Sequence, residues 1–343
     1  MEVVSPIALT MGEPAGIGGE IAIKAWAGQE AMKVPIFFII DDQKRLKRLS
    51  NALDWPLEII AISTPEEASD AFRHGLPVLE QTLPGSITPG QPDPTNAPSI
   101  ISSIDTAISF VQSGAAGAIV TNPIHKSTLY DAGFEYPGHT EYLATKASSL
   151  RSVMMLACDE LRAVPVTTHL SLEKAIKALN TQDIVEVTRI TARALQTDFG
   201  IQNPHLMVAA LNPHAGENGA LGCEEIEVIL PAVNKLKLEG YSVTGPAPAD
   251  TLFHPRAREA YDAVICMYHD QALIPLKTIN FSGGVNITMG LPFVRTSPDH
   301  GTAFEIAGMG VADETSLVKA LKTAAKIAAR RDSIGKRPES QRA

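Results

Sequence analysis

Three histidines stand at the downstream ends of short apolar runs: Ala163-Val-Pro-Val-Thr-Thr-His169, Leu206-Met-Val-Ala-Ala-Leu-Asn-Pro-His214 and Ala263-Val-Ile-Cys-Met-Tyr-His269. Runs of that length read as buried strands, and the carboxyl ends of parallel strands form the ligand crevice of an open α/β sheet. Imidazoles delivered there separately can converge on one divalent metal ion, and Asp270 directly follows the third. The alternative is that each is a strand-end histidine bonded to nearby backbone. The chain has no H-E-x-x-H and no paired C-x-x-C, so any metal site is set by the fold and not by a local motif.

Four further groupings could do chemistry. Pro137-Gly138-His139-Thr140-Glu141 puts an imidazole, a hydroxyl and a carboxylate at a loop-to-helix junction, which suits either a polar substrate or a capping box built on Thr140. Lys277, Asn286 and Arg295 lie in a largely apolar stretch, where a cation must find an internal carboxylate or an anionic ligand. Ser297-Pro-Asp299-His300-Gly301-Thr302-Ala303 reads as a turn leading into small residues. Thr10-Met-Gly-Glu-Pro-Ala-Gly-Ile-Gly-Gly-Glu20 reads as a tight strand-to-helix turn or an anion-binding loop. It lacks the G-x-G-x-x-G spacing of a dinucleotide fingerprint, and no phosphate-loop motif occurs anywhere.

The elements that must position these groups alternate in type. Strand-like runs at 7–11, 36–40, 57–62, 118–121, 164–168, 206–211 and 263–267 are separated by amphipathic patterns, clearest at 99–113, 183–199, 223–239 and 315–330. Alternation of this kind predicts an α/β fold with a mostly parallel sheet. Segment 81–98, rich in proline and without periodicity, reads as a long surface loop serving as a lid or dimer arm, and 333–343 as a flexible basic tail.

Composition narrows the function. The chain has 343 residues, 45% of them hydrophobic, and a formal net charge of −9. That length allows two domains, and the charge argues against nucleic acid as a partner. Three cysteines without a C-x-x-C pair suit reduced thiols in a cytoplasmic setting. No apolar stretch is long enough to cross a membrane, and the N-terminal residues do not read as a leader.

Taken together, Gly-Glu13-Pro-Ala-Gly-Ile-Gly, Gly-His139-Thr140-Glu, Thr-Thr-His169-Leu, Leu-Asn-Pro-His214-Ala-Gly-Glu, Pro-Ala-Asp250-Thr, Met-Tyr-His269-Asp270-Gln and Asn286-Ile-Thr-Met-Gly-Leu-Pro-Phe-Val-Arg295-Thr-Ser resemble the 4-hydroxythreonine-4-phosphate dehydrogenase family of pyridoxal phosphate biosynthesis. The resemblance spans about residues 6 to 330. It implies an isocitrate/isopropylmalate dehydrogenase-like fold: two α/β/α lobes with a cleft between them, the first formed by 1–125 and 286–332, the second by 126–285 with the metal ligands and dimer contacts.

It further implies a homodimer with an active site shared between subunits, and one divalent metal ion (Zn, Mg, Co, Mn or Ni) held by His169, His214 and His269, one of them supplied by the partner. Substrate binding falls to His139, Thr140, Lys277, Asn286 and Arg295, with the phosphate on Lys277 and Arg295. Asp250, Asp270 and Lys277 are the catalytic candidates. The loop Asp299-His300-Gly301-Thr302 is similar to the superfamily's adenosine-binding loop, so NAD(P) is the implied cofactor.

The implied reaction is oxidation of 4-phosphooxy-L-threonine to a 3-keto acid that decarboxylates to 3-amino-2-oxopropyl phosphate. Relatives that oxidise D-threonate or D-erythronate 4-phosphate share these motifs, and a phosphate acyltransferase is the alternative of another class. The chain departs from the family pattern at Glu13, usually Asp, at Gly19, usually Pro, and at Asn122, usually Gly or Ala.

Overall fold

A computed structural model describes residues 5–136, 138–147, 149 and 151–335, apart from the side chain of Thr140. The chain forms two compact units: the residues up to Leu150 together with Leu291–Asp332, and Arg151–Gly290. Both are α/β. Numbered along the chain, the strands are β1 (Ile7–Thr10), β2 (Phe37–Asp41), β3 (Ile59–Ile62), β4 (Leu76–Glu80), β5 (Ala118–Thr121), β6 (Val153–Ala157), β7 (Arg162–Pro165), β8 (Leu206–Ala209), β9 (Val243–Ala247), β10 (Ala263–Cys266), β11 (Val285–Met289) and β12 (Arg295–Pro298).

In the first unit the order is β3-β4-β2-β1-β5-β12, and every neighbouring pair is parallel. A parallel sheet is covered on both faces, so its central strands are apolar throughout. Phe37-Phe38-Ile39-Ile40 fits this, with all four side chains buried. Phe37 also meets Phe72 edge-on at 5.3 Å. Burying each such ring stabilises the fold by roughly 1.5–3 kcal/mol. The strand order turns back between β1 and β5, and the carboxyl ends at such a switch point are where open α/β sheets bind ligands.

The second unit is ordered β11-β6-β7-β10-β8-β9. Strands β7, β10, β8 and β9 are parallel, as expected of a mostly parallel sheet, whereas β11, β6 and β7 pair antiparallel, so this unit's sheet is mixed at one side.

The crossings between units fall later than the sequence reading placed them, after Leu150 and Gly290 instead of after 125 and 285. Leu129, Phe134, Tyr142 and Leu143 bury themselves in the cluster that holds Phe38, Ile100 and Ile119, which keeps residues 126–147 with the first unit. β11 stays with the second unit because Asn286 and Ile287 pair with Leu156 and Met155 of β6. The last helix, Thr315–Gly335, continues through 333–335, which the sequence reading assigned to the tail; residues 336–343 lie outside the described set. Pattern 223–239 is helical from Glu225 to Leu238, its first part a wide π-type turn, Glu225–Ile229, that runs straight into the helix Leu230–Leu238, with Pro231, which has no N–H to give, at the junction. Among the described residues no helix is long and apolar enough to cross a membrane, and all three cysteines are free.

Candidate functional site

On the first unit, polar groups gather at the carboxyl ends of β1 and β5. Gly12 takes φ +69, and a β-carbon there would lie 2.7 Å from both Asn122 Cβ and Pro123 O. At Gly16 it would lie 2.8 Å from Thr302 O. The Ile17 N–H donates to Thr302 O at 3.1 Å, the Gly16 N–H to Glu13 O at 3.0 Å and the Glu13 N–H to Pro123 O at 2.8 Å, so this loop is a close-packed turn whose N–H groups are largely taken up by the protein itself. Arg45 fastens it, donating from Nε and Nη2 to Pro14 O and from Nη1 to the buried Asp41 carboxylate. Burial pushes Asp41 up to about 6 despite that guanidinium.

Two of the departures from the family pattern have a local role. Asn122 Nδ2 donates to Thr10 O at 3.1 Å, and Glu13 Oε1 accepts from the Ala15 N–H at 3.1 Å. Segment 81–98 reaches the same loops, with the Gly90 N–H donating to Ala15 O at 2.8 Å.

Arg295 opens β12 beside β5 and is 4% exposed. Its Nε and Nη2 donate to Thr121 Oγ1 at 3.2 and 2.6 Å. Burial lowers its pKa to about 10, opposed by the Glu141 carboxylate. His139 begins the helix His139–Lys146, with Gly138 as its N-cap and no side-chain cap, so Thr140 lies inside the first turn and the capping box expected there is absent. The side chain of Thr140 lies outside the described set. Burial first, then the charges of Arg295 and Lys126, hold His139 well below the ordinary histidine range, and its enclosed Nε2 has no hydrogen-bond partner among the described residues. A buried guanidinium beside a neutral imidazole with an unfilled nitrogen is an arrangement that accepts an anion.

Asp299, His300, Gly301 and Thr302 belong to this unit as well. The Asp299 N–H donates to Ser316 Oγ, His300 Nδ1 lies 2.9 Å from Gly301 O, and nothing stands within 4 Å of a β-carbon placed on Gly301. That leaves open backbone of the kind an approaching ligand can use.

On the second unit the three histidines leave the carboxyl ends of three adjacent parallel strands, β7, β10 and β8. β7 ends at Pro165, earlier than expected, yet the chain stays tied to β10 because the Val166 and Thr167 N–H groups donate to Cys266 O and Met267 O. His169 and His269 come together, with ring centroids 5.9 Å apart. His269 Nδ1 lies 2.7 Å from Asp270 Oδ1, which leaves Nε2 as the ring nitrogen that could hold a metal.

His214 is placed differently. It shares a cavity of about 640 Å3 with Asp250, Tyr268 and Asp270, whereas His169 and His269 line a smaller one on which Tyr268 and Asp270 also border. No three His, Cys, Asp or Glu side chains among the described residues are grouped to hold a metal within one chain. The residues therefore fit two positions of a metal shell and leave the rest to other donors.

The backbone around these histidines is strained. His169 has φ 49, and His214 through Asn218 all have positive φ. Left-handed turns cost roughly 1–2 kcal/mol per L-residue, and such strain clusters at functional sites. Glu225, which the sequence reading missed, holds this segment: it is 3% exposed and accepts from the N–H groups of Leu211 and Asn212 and from Asn212 Nδ2. Those donors keep its carboxyl below the ordinary range despite burial. Gln271 bridges two strand ends, accepting from the Met267 N–H and donating to Ala210 O.

Lys277, two turns beyond His269, carries its ammonium 5.2 Å from the centre of the Phe281 ring. Asn286 on β11 has an enclosed Oδ1 without a partner among the described residues.

Comparison with known proteins gives these groups a context. The model of a family described as pyridoxal phosphate biosynthetic protein PdxA matches residues 33–324. The 4-hydroxythreonine-4-phosphate dehydrogenase of Caulobacter vibrioides is 52% identical over 332 residues, covering 95% of this chain and 98% of that one. That of Bradyrhizobium diazoefficiens is 49% identical, covering 94% and 97%. A crystal structure of 4-hydroxythreonine-4-phosphate dehydrogenase from Klebsiella pneumoniae superposes with a TM-score of 0.85 at 40% identity, over 94% of this chain and 99% of that one. A branched-chain phosphotransacylase from Enterococcus faecalis gives 0.54 at 11% identity, over 94% and 98%, a likeness of fold alone.

Proposed function

The chain belongs to the PdxA family of pyridoxal phosphate biosynthetic proteins, and on that premise we propose that it is a dehydrogenase that oxidises 4-phosphooxy-L-threonine, with NAD(P) as hydride acceptor and a divalent metal ion. The observation that carries the reading is the set of three histidines at the ends of β7, β10 and β8, two of them facing each other at 5.9 Å.

His169 and His269 would hold the metal from one subunit, with His214 arriving from the partner of a homodimer. Two features favour this. His214 lies in the other cavity of its own chain, the second unit exposes Leu170, Leu172, Ile274 and Phe281, and exposed apolar side chains of that density mark a protein interface. When bound, the metal makes the substrate hydroxyl more acidic and polarises the ketone formed from it.

The chain's own groups do the rest. Asp270 holds the His269 ring by its Nδ1 and fixes the tautomer. Asp250, in the turn Ala249–Thr251 and lining the His214 cavity, is placed to take a proton as general base. Arg295 and His139 bind the substrate's phosphate, in place of the pairing of Arg295 with Lys277 that the resemblance implies, because it is His139 that Arg295's charge reaches; Lys277 and Asn286 take the substrate's other polar atoms. The loop Asp299–Thr302 takes the adenosine half of the cofactor without a Rossmann fingerprint. Hydride leaves the carbon that bears the hydroxyl, the 3-keto acid loses carbon dioxide, and 3-amino-2-oxopropyl phosphate remains. Free thiols accord with a cytoplasmic setting.

The test is a comparison of 4-phosphooxy-L-threonine with D-threonate and D-erythronate 4-phosphates, followed by NADH formation and by mass spectrometry of the product. Turnover of the amino substrate with release of carbon dioxide supports the reading. Turnover of the sugar acids alone assigns the same site to another substrate.

A further inference from the structure

Lys126 opens the helix Lys126–Asp131 of the first unit. An exposed lysine in that position is ordinarily solvated, but this side chain lies along Gly138. A β-carbon on Gly138 would come within 3.3 Å of Lys126 Cε, 3.4 Å of its Nζ and 3.4 Å of Glu141 Oε2. Gly138 is fully extended, φ 176, a backbone any residue can adopt, so its missing side chain serves to give the ammonium room. The lysine's charge reaches His139, and with Arg295 it helps keep that imidazole neutral.

The charges around His139 do not balance. Lys126 and Arg295 are cations, Glu141 is the carboxylate acting on Arg295, and His139 Nε2 is enclosed without a partner among the described residues. The surplus is one positive charge, which any anionic ligand can offset; a phosphoryl group also brings acceptor oxygens enough for two cations and an imidazole N–H, more than a single carboxylate offers.

We propose that Lys126 is a substrate-binding residue that completes, with Arg295 and His139, a niche for the phosphoryl group. This rests on the phosphorylated substrate of the reading above and adds a residue to it. Lys126 supplies charge and not chemistry, so its loss weakens binding and leaves turnover alone.

The test measures kcat, KM for 4-phosphooxy-L-threonine, and competitive inhibition by inorganic phosphate, in wild type, Lys126→Met and Lys126→Arg, with thermal midpoints to show that each is folded. In Lys126→Met, KM and the phosphate inhibition constant both rise about ten- to a hundredfold, as loss of a charge-assisted contact requires, while kcat stays within about threefold. Lys126→Arg recovers most of the binding. An unchanged KM and inhibition constant in Lys126→Met overturn the assignment, as does a fall in kcat with KM unchanged. If phosphate fails to compete in the wild type, the phosphate niche itself falls, whereas competition that Lys126→Met leaves untouched removes only the lysine.

Discussion

His169 and His269 face each other at 5.9 Å although a hundred residues separate them, because β7 and β10 run side by side with Val164 opposite Ile265. The carboxylate of Asp270 then fixes His269 from behind. Removing such a carboxylate typically weakens metal binding about 10- to 100-fold. Asp270→Asn should therefore lose metal on dialysis against a buffered chelator at concentrations the wild type withstands, as read by metal analysis. Equal retention would detach Asp270 from the metal.

Thr121 is the hydroxyl against which the buried Arg295 guanidinium is set. Thr121→Val keeps the shape and removes the acceptor, leaving charged donors poorly satisfied. A cost of about 1–3 kcal/mol in unfolding free energy is expected, measured by urea denaturation, along with a raised KM as the guanidinium loses its fixed direction.

His139 is held below its ordinary value of 6.5. The unfolded chain then binds a proton that the folded chain refuses, so this group's contribution to stability is intact above about 6.5 and is lost as pH falls from there towards the folded value. Asp41, raised from 3.8 to about 6, acts oppositely: its contribution is present below 3.8 and lost as pH rises towards 6. Comparing wild type with His139→Asn separates the two. Between about pH 7.5 and 5.5 the variant should lose less stability in urea than the wild type does; identical pH slopes would contradict the burial argument.

Glu225 accepts three hydrogen bonds from the segment that leads into the left-handed turn at His214. Glu225→Ala strands those donors and should destabilise the fold by about 2–4 kcal/mol. If His214 serves the metal, metal content falls as well. Glu225→Gln keeps the shape but only one acceptor oxygen and should lie between, with the order read from thermal midpoints and metal analysis together.

The histidines were legible in the sequence because each follows a short apolar run, and such runs in an α/β pattern have few other readings. β4 was missed because Pro77 argues against a strand; it is tolerated because the β4–β2 ladder begins only at Val78, where no N–H is needed from the proline. β12 was missed because Arg295-Thr-Ser-Pro carries no apolar signal. It is buried all the same, with its polar groups met by Thr121 and by Ala320 O. Lys126 looked like any solvated lysine, since only its approach to Gly138 distinguishes it. Glu225 was hidden inside an amphipathic pattern whose first turn proved irregular. Local patterns reveal elements and strand ends; partners chosen through space leave no such trace.

The most direct measurement is NADH formation from 4-phosphooxy-L-threonine by the purified protein before and after removal of metal with a chelator, and again after a divalent ion is restored. Activity that disappears with the metal and returns with it is the result expected of a site built on His169, His214 and His269. Undiminished NADH formation in metal-free protein would contradict that account at its centre.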